Sequence, residues 1–318
     1  MRFSLVAAGL LGLAIAHPVE KRQALPPVDS MTDESILQLA LYLEHLELVL
    51  YTSGYENFTD AEYTAAGFPA GFRENVGVIA SHEATHAATI SSILEAAGYS
   101  PVPPCTYKFP YDSPTSFVDL ANMITSVGIG AYLGGAQNLT DDPTLLTAAS
   151  SILTVEARHD SYLRAGVGGS PFPTAFDTAL TGVYAYNLAQ MFIVSCPMQL
   201  PLTILPKLTL KSPAMPPPNL QPPTPAGTPL QFTYDPSTFF VQPAAGAPLY
   251  IALINMVTNI TYTEVTSCGT NCAQIPVPAG AAGAAFAVLT TFSGADNLNE
   301  NQLSALGSLT GPAEVILS

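Results

Sequence analysis

A chain of 318 residues with a formal net charge of −15 is a poor partner for nucleic acid, whose phosphates need Lys and Arg. Only 10% of its residues are charged, against roughly 25% in an average globular chain, so Ser, Thr, Asn and glycans must carry part of its solubility. The length allows two domains, each with a sizeable core.

The first residues, MRFSLVAAGLLGLAIA, combine Arg2, a short apolar run and the small residues Ala14-Ile15-Ala16. That pattern predicts a secretory signal over 1–16, too short to anchor in a bilayer. Lys21-Arg22 predicts a dibasic propeptide site closing residues 17–22, with the mature chain starting at Gln23. No later uninterrupted apolar run suggests a membrane span, and the C-terminus lacks the tail of a lipid-anchor signal. The expected location is extracellular or cell wall. Asn57-Phe58-Thr59, Asn138-Leu139-Thr140 and Asn259-Ile260-Thr261 fit the glycosylation pattern. Cys105, Cys196, Cys268 and Cys272 suggest two disulfides, with three pairings open. The short loop CGTNC favours Cys268–Cys272, which leaves Cys105–Cys196.

Residues 23–197 read as a mainly helical domain. The first helix, SMTDESILQLALYLEHLELVLY, has Ser30 or Thr32 as N-cap and repeats Ile36, Leu37, Leu41, Leu43, Leu46 and Leu50 at helical spacing. The second covers about 70–97 and stops at Gly98; the third runs from Pro114, suited to a first turn, to about Gln137. The fourth covers about 142–165, and a fifth is predicted over 170–195, ending at Cys196-Pro197. Prolines crowd residues 198–229, which predicts an extended linker. β-branched and aromatic runs between Gly, Pro and Asn turns predict a small β-sandwich over 230–318.

Two helices carry the same motif: Glu83-x-x-His86 and Glu156-x-x-His159. Residues three apart share a helical face, so each pair presents a carboxylate beside an imidazole. There is also an echo. Glu44 and Tyr51 lie seven apart in the first helix, Thr125 and Tyr132 seven apart in the third, and each precedes a helix bearing Glu-x-x-His. Two such hairpins make a four-helix bundle whose polar residues meet at its centre.

LALYLEHLELVLY, SHEATHAATI, GIGAYLGGA, VEARHDSYL and the FIVSCP ending resemble the ferritin-like fold, in particular the secreted fungal stress-response and sexual-development proteins, with plant desiccation-related proteins more distant. The resemblance spans about residues 30–197. It implies a ferritin-like four-helix bundle plus a fifth helix, and a role in stress or development. Di-metal members of that fold take one Glu from each of two helices and a Glu-x-x-His from each of the other two. Carried over, this implies Glu44, Glu83, His86, Glu156 and His159 as ligands, with Tyr51 and Tyr132 nearby. Thr125 stands where the second lone glutamate is expected, and Glu47, one turn from Glu44, is the candidate replacement. One or two ions are then expected, iron or manganese ahead of zinc, with oxygen or peroxide as co-substrate if the centre is redox-active.

Other readings stay open on the residues alone. A buried hydrogen-bonded network without metal could use the same side chains, and Thr125 favours an inert extracellular structural or interaction protein with a degenerate site. His82-Glu83-x-x-His86 also matches the His-Glu-x-x-His string of zinc proteases, although the second motif has no such match. An extracellular or cell-wall partner would fall to the β-domain. The oligomeric state is not encoded in any of these features.

Overall fold

In the computed structural model, residues 31–139, 142–212, 225–257, 259–296 and 298–317 are described. The expected signal, the dibasic site, Thr140 of the middle sequon and the prolines within 213–224 lie outside them. Helix α1 (Asp33–Asn57) starts where the Thr32 hydroxyl accepts from the Ser35 N–H; α2 (Asp60–Ala65) starts at a Thr59–Glu62 capping box. Such caps satisfy amide groups that a helix start leaves without partners. Helix α3 (Phe72–Ala96) begins after Gly71 at φ +82°. Ser113 and Asp142 cap α4 (Pro114–Ala136) and α5 (Pro143–Gly166), each with proline in its first turn. The short α2 was not expected from the apolar periodicity.

The hairpins α1–α3 and α4–α5 pack together as a four-helix bundle, α1 lying against α4. Tyr42, Leu46, Leu50, Tyr51, Val76, Phe117 and Leu163 are among the side chains it removes almost wholly from water, each worth roughly 1.5–3 kcal/mol as transferred apolar surface. The α1–α4 contact depends on Gly54: a Cβ there would meet the Phe117 ring at 2.1 Å. Among the described helices, α4 alone is long and apolar enough to cross a bilayer, yet 67% of that window is buried. It packs against α1, α5 and α6, which accounts for its hydropathy as that of a core helix.

The expected fifth helix is shorter than its sequence suggests. It spans only Gly182–Ala189 (α6). Pro171 and Pro173 open the preceding segment, and residues 174–181 are held outside a helix by tertiary bonds: Leu180 N–H donates to the Gly130 carbonyl, and Thr178 bonds to Ala284 and Met256. At its other end the chain turns into β2 (Ile193–Ser195), paired antiparallel with β1 (Thr106–Tyr107). The Cys105–Cys196 disulfide closes this clasp.

Within the predicted linker, the proline-free stretch Leu208–Ser212 forms strand β3. It pairs with β4 (Pro229–Tyr234), and β8 (Cys272–Pro276) and β7 (Thr266–Gly269) extend the sheet in the order β3-β4-β8-β7. The second sheet has the order β10-β9-β5-β6, from β5 (Tyr250–Asn255), β6 (Asn259–Glu264), β9 (Ala284–Thr290) and β10 (Ala313–Ile316). Leu230, Phe232 and Ile275 of one sheet and Ile251, Leu253 and Leu289 of the other share a core, as in a β-sandwich. The opposite face of the second sheet turns Ile254, Phe286 and Val288 into the core of the helical domain. Thr178 fastens the junction, donating to the Ala284 carbonyl and accepting from the Met256 N–H. Cys268–Cys272 bridges the β7–β8 hairpin. The chain is a four-helix-bundle domain followed by a β-sheet region docked onto it.

Candidate metal centre

Four helices bring the motif residues to the middle of the bundle. Glu44, Glu47 and Tyr51 come from α1, Glu83 and His86 from α3, Thr125 and Tyr132 from α4, and Glu156 and His159 from α5. Glu83 is 0% exposed, Glu156 1% and Glu44 3%; Glu47, His86 and His159 are also buried. Carboxylates so placed lose hydration and repel one another, so they require protons, cations or both.

Glu83 and Glu156 are shared between the two imidazoles, and Glu44 adds a third carboxylate at His86. His86 Nδ1 lies 3.0 Å from Glu83 Oε2, 3.1 Å from Glu156 Oε1 and 3.4 Å from Glu44 Oε2. His159 Nδ1 lies 3.1 Å from Glu83 Oε1 and 3.3 Å from Glu156 Oε2. Glu83 and Glu156 thus each turn one oxygen toward either imidazole. One N–H cannot satisfy several oxygens, and Glu44 Oε2, Glu83 Oε1 and Glu156 Oε1 are buried without a hydrogen bond. Donor atoms of Glu44, Glu83, His86 and Glu156 all lie within 4.8 Å of one another. Three carboxylates and an imidazole gathered so closely fit a metal-binding site.

Helices α1 and α4 repeat their contact about the centre. The Tyr132 hydroxyl donates to Glu44 Oε1. In the matching position Tyr51 Oη lies 2.6 Å from Thr125 Oγ1, and Thr125 donates to Glu47 Oε2 at 3.0 Å. A threonine hydroxyl has one hydrogen, so Tyr51 donates to Thr125 and Thr125 to Glu47. Gly128, one turn beyond Thr125, leaves room for this arrangement: a Cβ there would stand 2.5 Å from Glu47 Oε1. The carboxylate missing from α4 is met by one reaching over from α1. Glu47 stands outside the compact group of four.

Burial pushes the Glu44 carboxyl up to about 8, with the His86 hydrogen bond opposing it. Burial raises Glu47 well above the carboxylate range, and the charges of Glu156, Glu83 and Glu44 raise it further. At Glu83 burial is outweighed by the adjoining His159 and His86 imidazoles, whose positive charge holds it at about 2. Burial would lower both histidines, but Glu156, Glu44 and Glu83 lift His86 to about 12, and Glu156 and Glu83 lift His159 to about 9. Without a metal the cluster is a proton-bearing ion network. A divalent ion could take the place of those protons.

The remaining histidines lie outside the carboxylate group. His82 is exposed, stacks on the His159 ring and has Nδ1 3.0 Å from His159 Nε2, so it orients that ring from outside. Only one histidine of the His-Glu-x-x-His string therefore enters the group, and the zinc-protease pairing is not formed. His45 Nε2 lies 3.2 Å from the Val102 carbonyl. The helical pattern gave no notice of Asn122 and Ser126, which donate to Asp160 at 2.5 and 3.1 Å, with Arg164 Nε donating at 2.7 Å. Two i,i+4 pairs are its trace in the sequence: Asn122 with Ser126 on α4, and Asp160 with Arg164 on α5. A cleft of about 440 Å³ between α3 and α5, lined by His82, His86, Arg158 and His159, opens from the centre to the surface.

Residues 32–169 match the model of the ferritin-like domain family, which is where the sequence resemblance lay. The chain is 32% identical over 167 residues, 52% of its length, to protein rds1 of Schizosaccharomyces pombe; the match spans 40% of that protein. Similar solved structures include a conserved hypothetical protein of Mycobacterium tuberculosis (20% identity, 45% of this chain and 96% of that one, TM-score 0.37). A Dps point mutant of Listeria innocua has 12% identity, covering 46% and 99%, with TM-score 0.39. A ferritin-like, diiron-carboxylate protein of Bacillus anthracis has 15% identity, covering 42% and 98%, with TM-score 0.37.

Proposed function

We propose that the helical domain binds one or two transition-metal ions, iron or manganese, at a centre that reacts with oxygen or peroxide. The observation that carries this is the set of three buried glutamate oxygens without hydrogen bonds around two imidazole nitrogens. Glu44, Glu83, His86 and Glu156 would hold one ion. Glu83, Glu156 and His159 would hold a second, with Glu47 supplying the charge that Thr125 lacks. A donor set rich in carboxylate, with imidazole and without cysteine, suits iron or manganese better than structural zinc.

A bound iron or manganese ion would supply redox chemistry at an open coordination position. The chain's own residues do the rest. Tyr132 fixes one oxygen of Glu44 and leaves the other facing His86. Tyr51 and Thr125 hold Glu47 in the space above Gly128. His82 sets the His159 ring, and the α3–α5 cleft admits small solutes while apolar helix faces exclude bulk water elsewhere. Secretion and a stress or developmental role belong to the same reading, supported by the N-terminal sequence and the family resemblance.

Proton competition makes this reading testable. Below about pH 8, Glu44, His86 and His159 all carry protons that an ion must displace. Raising pH removes that competition. Calorimetric titration of metal-stripped protein with manganese(II) is expected to show proton release and an affinity rising about tenfold or more per pH unit between 6 and 8. Saturable binding that is insensitive to pH would place the ion elsewhere, and no binding at any pH would leave an inert scaffold.

A further inference from the structure

The bundle is filled at one end and hollow at the other. Where α1 ends and α3 begins, Tyr63, Phe68 and Phe72 pack with ring centroids 4.4–5.7 Å apart, and Tyr162 stacks on Phe72 at 5.0 Å. At the opposite end α1 and α5 begin and α3 and α4 finish. There the sequence places Ala40, Ala131, Gly135 and Ala149, and a cavity of about 180 Å³ results. Leu43, Ile90 and Ile152 form its inner walls and Tyr132 its inner limit. Ser304 and Ala305, from the β-sheet region, help roof it.

We propose that this cavity binds a small apolar molecule, an aromatic ring or a medium-length alkyl chain, with its inner end against Tyr132. None of the described lining residues is charged. Several of its polar side chains are already engaged. Thr89 donates to the Thr85 carbonyl, Asn138 to Gly134, Ser304 to Asn301, and Thr181 caps α6. These leave little to recognise an ionic or sugar-like ligand. An apolar cavity of this order stays dry and takes apolar guests, because a guest restores the dispersion contacts that the wall atoms lack. Tyr132 is also the donor to Glu44, so a bound guest lies one side chain from the metal centre. That this guest is the centre's substrate rests on the metal reading; its binding does not.

Asn301, Gly134 and Thr181 line both this cavity and an adjoining cleft of about 410 Å³ at the junction of the two domains. The β-sheet region therefore helps form both the roof and the entrance, which gives its docking onto the bundle a functional purpose.

The test uses the full chain, metal-stripped and manganese-loaded, titrated with toluene and with 1-octanol by calorimetry and ligand-dependent melting. One saturable site is expected in both preparations. Ala40→Phe and Ala149→Phe, on different helices, each fill the cavity and should weaken binding at least tenfold with metal content unchanged. Ile90→Ala enlarges the same space and should bind naphthalene at least tenfold more tightly than wild type, which keeps the test decisive if a filling variant fails to fold. No saturable binding, or binding unchanged in folded variants of all three kinds, overturns the proposal. Binding retained by a protein that takes up no metal upholds the cavity and refutes the metal reading instead.

Discussion

A chain carrying both Glu83→Gln and Glu156→Gln is expected to fold and to retain less than about a tenth of the wild-type metal, since loss even of groups that only support ligands costs 10–100-fold in affinity. Glu83 and Glu156 each face both imidazoles, so the pair of substitutions removes charge from both halves of the centre while keeping shape. Breaking a buried ion pair often costs about 3–5 kcal/mol because the surviving charge is stranded. Here His86 and His159 can release their protons once the carboxylates are gone, so the metal-free variant should lose only about 1–3 kcal/mol. Elemental analysis beside circular dichroism separates the two effects, with exposed Glu95→Gln as control. Full metal content in a folded double variant would remove these glutamates from the ligand set.

Opening the Cys105–Cys196 bridge should cost about 4–5 kcal/mol. The bridge spans a sequence separation of 91, and the entropy withheld from the unfolded chain grows with the loop closed. It fastens the β1–β2 clasp to the bundle, where Tyr42 Oη lies 3.2 Å from Cys196 Sγ and accepts from Gln190. Cys268–Cys272, with a separation of only 4, should contribute about 2 kcal/mol by the same relation. Paired serine variants compared by denaturant unfolding measure both. Equal losses would show that loop closure does not govern the stability of this chain.

The parts of the centre that were legible in the sequence are those encoded within one helix. Glu83 with His86, Glu156 with His159, and Glu44 with Glu47 are each separated by three residues, and polar pairs on apolar helices cannot be placed there without a partner. The repeat of Tyr seven residues after Glu44 and Thr125 was visible too. What it does was not. Tyr132 bonds Glu44 and Tyr51 bonds Thr125 across helices some 70–90 residues apart, and periodicity does not say which helices face one another. Nothing in the helical spacing marks Gly128 as space for Glu47. Alanine suits a helix wherever it stands, so a void between Ala40, Ala131 and Ala149 leaves no mark on the sequence. The linker was read by its prolines, which hid the five-residue strand that completes the first sheet. The fifth helix is shorter than expected because Thr178 and Leu180 bond to other elements, which local sequence does not disclose.

Elemental analysis of the full chain, expressed in metal-replete medium and purified without metal-affinity resin, tests the central claim most directly. Iron or manganese at one or two ions per chain is the predicted result, and the ratio decides whether Glu47 completes a second position. A folded wild-type protein that carries no metal and takes up none on reloading would contradict the account.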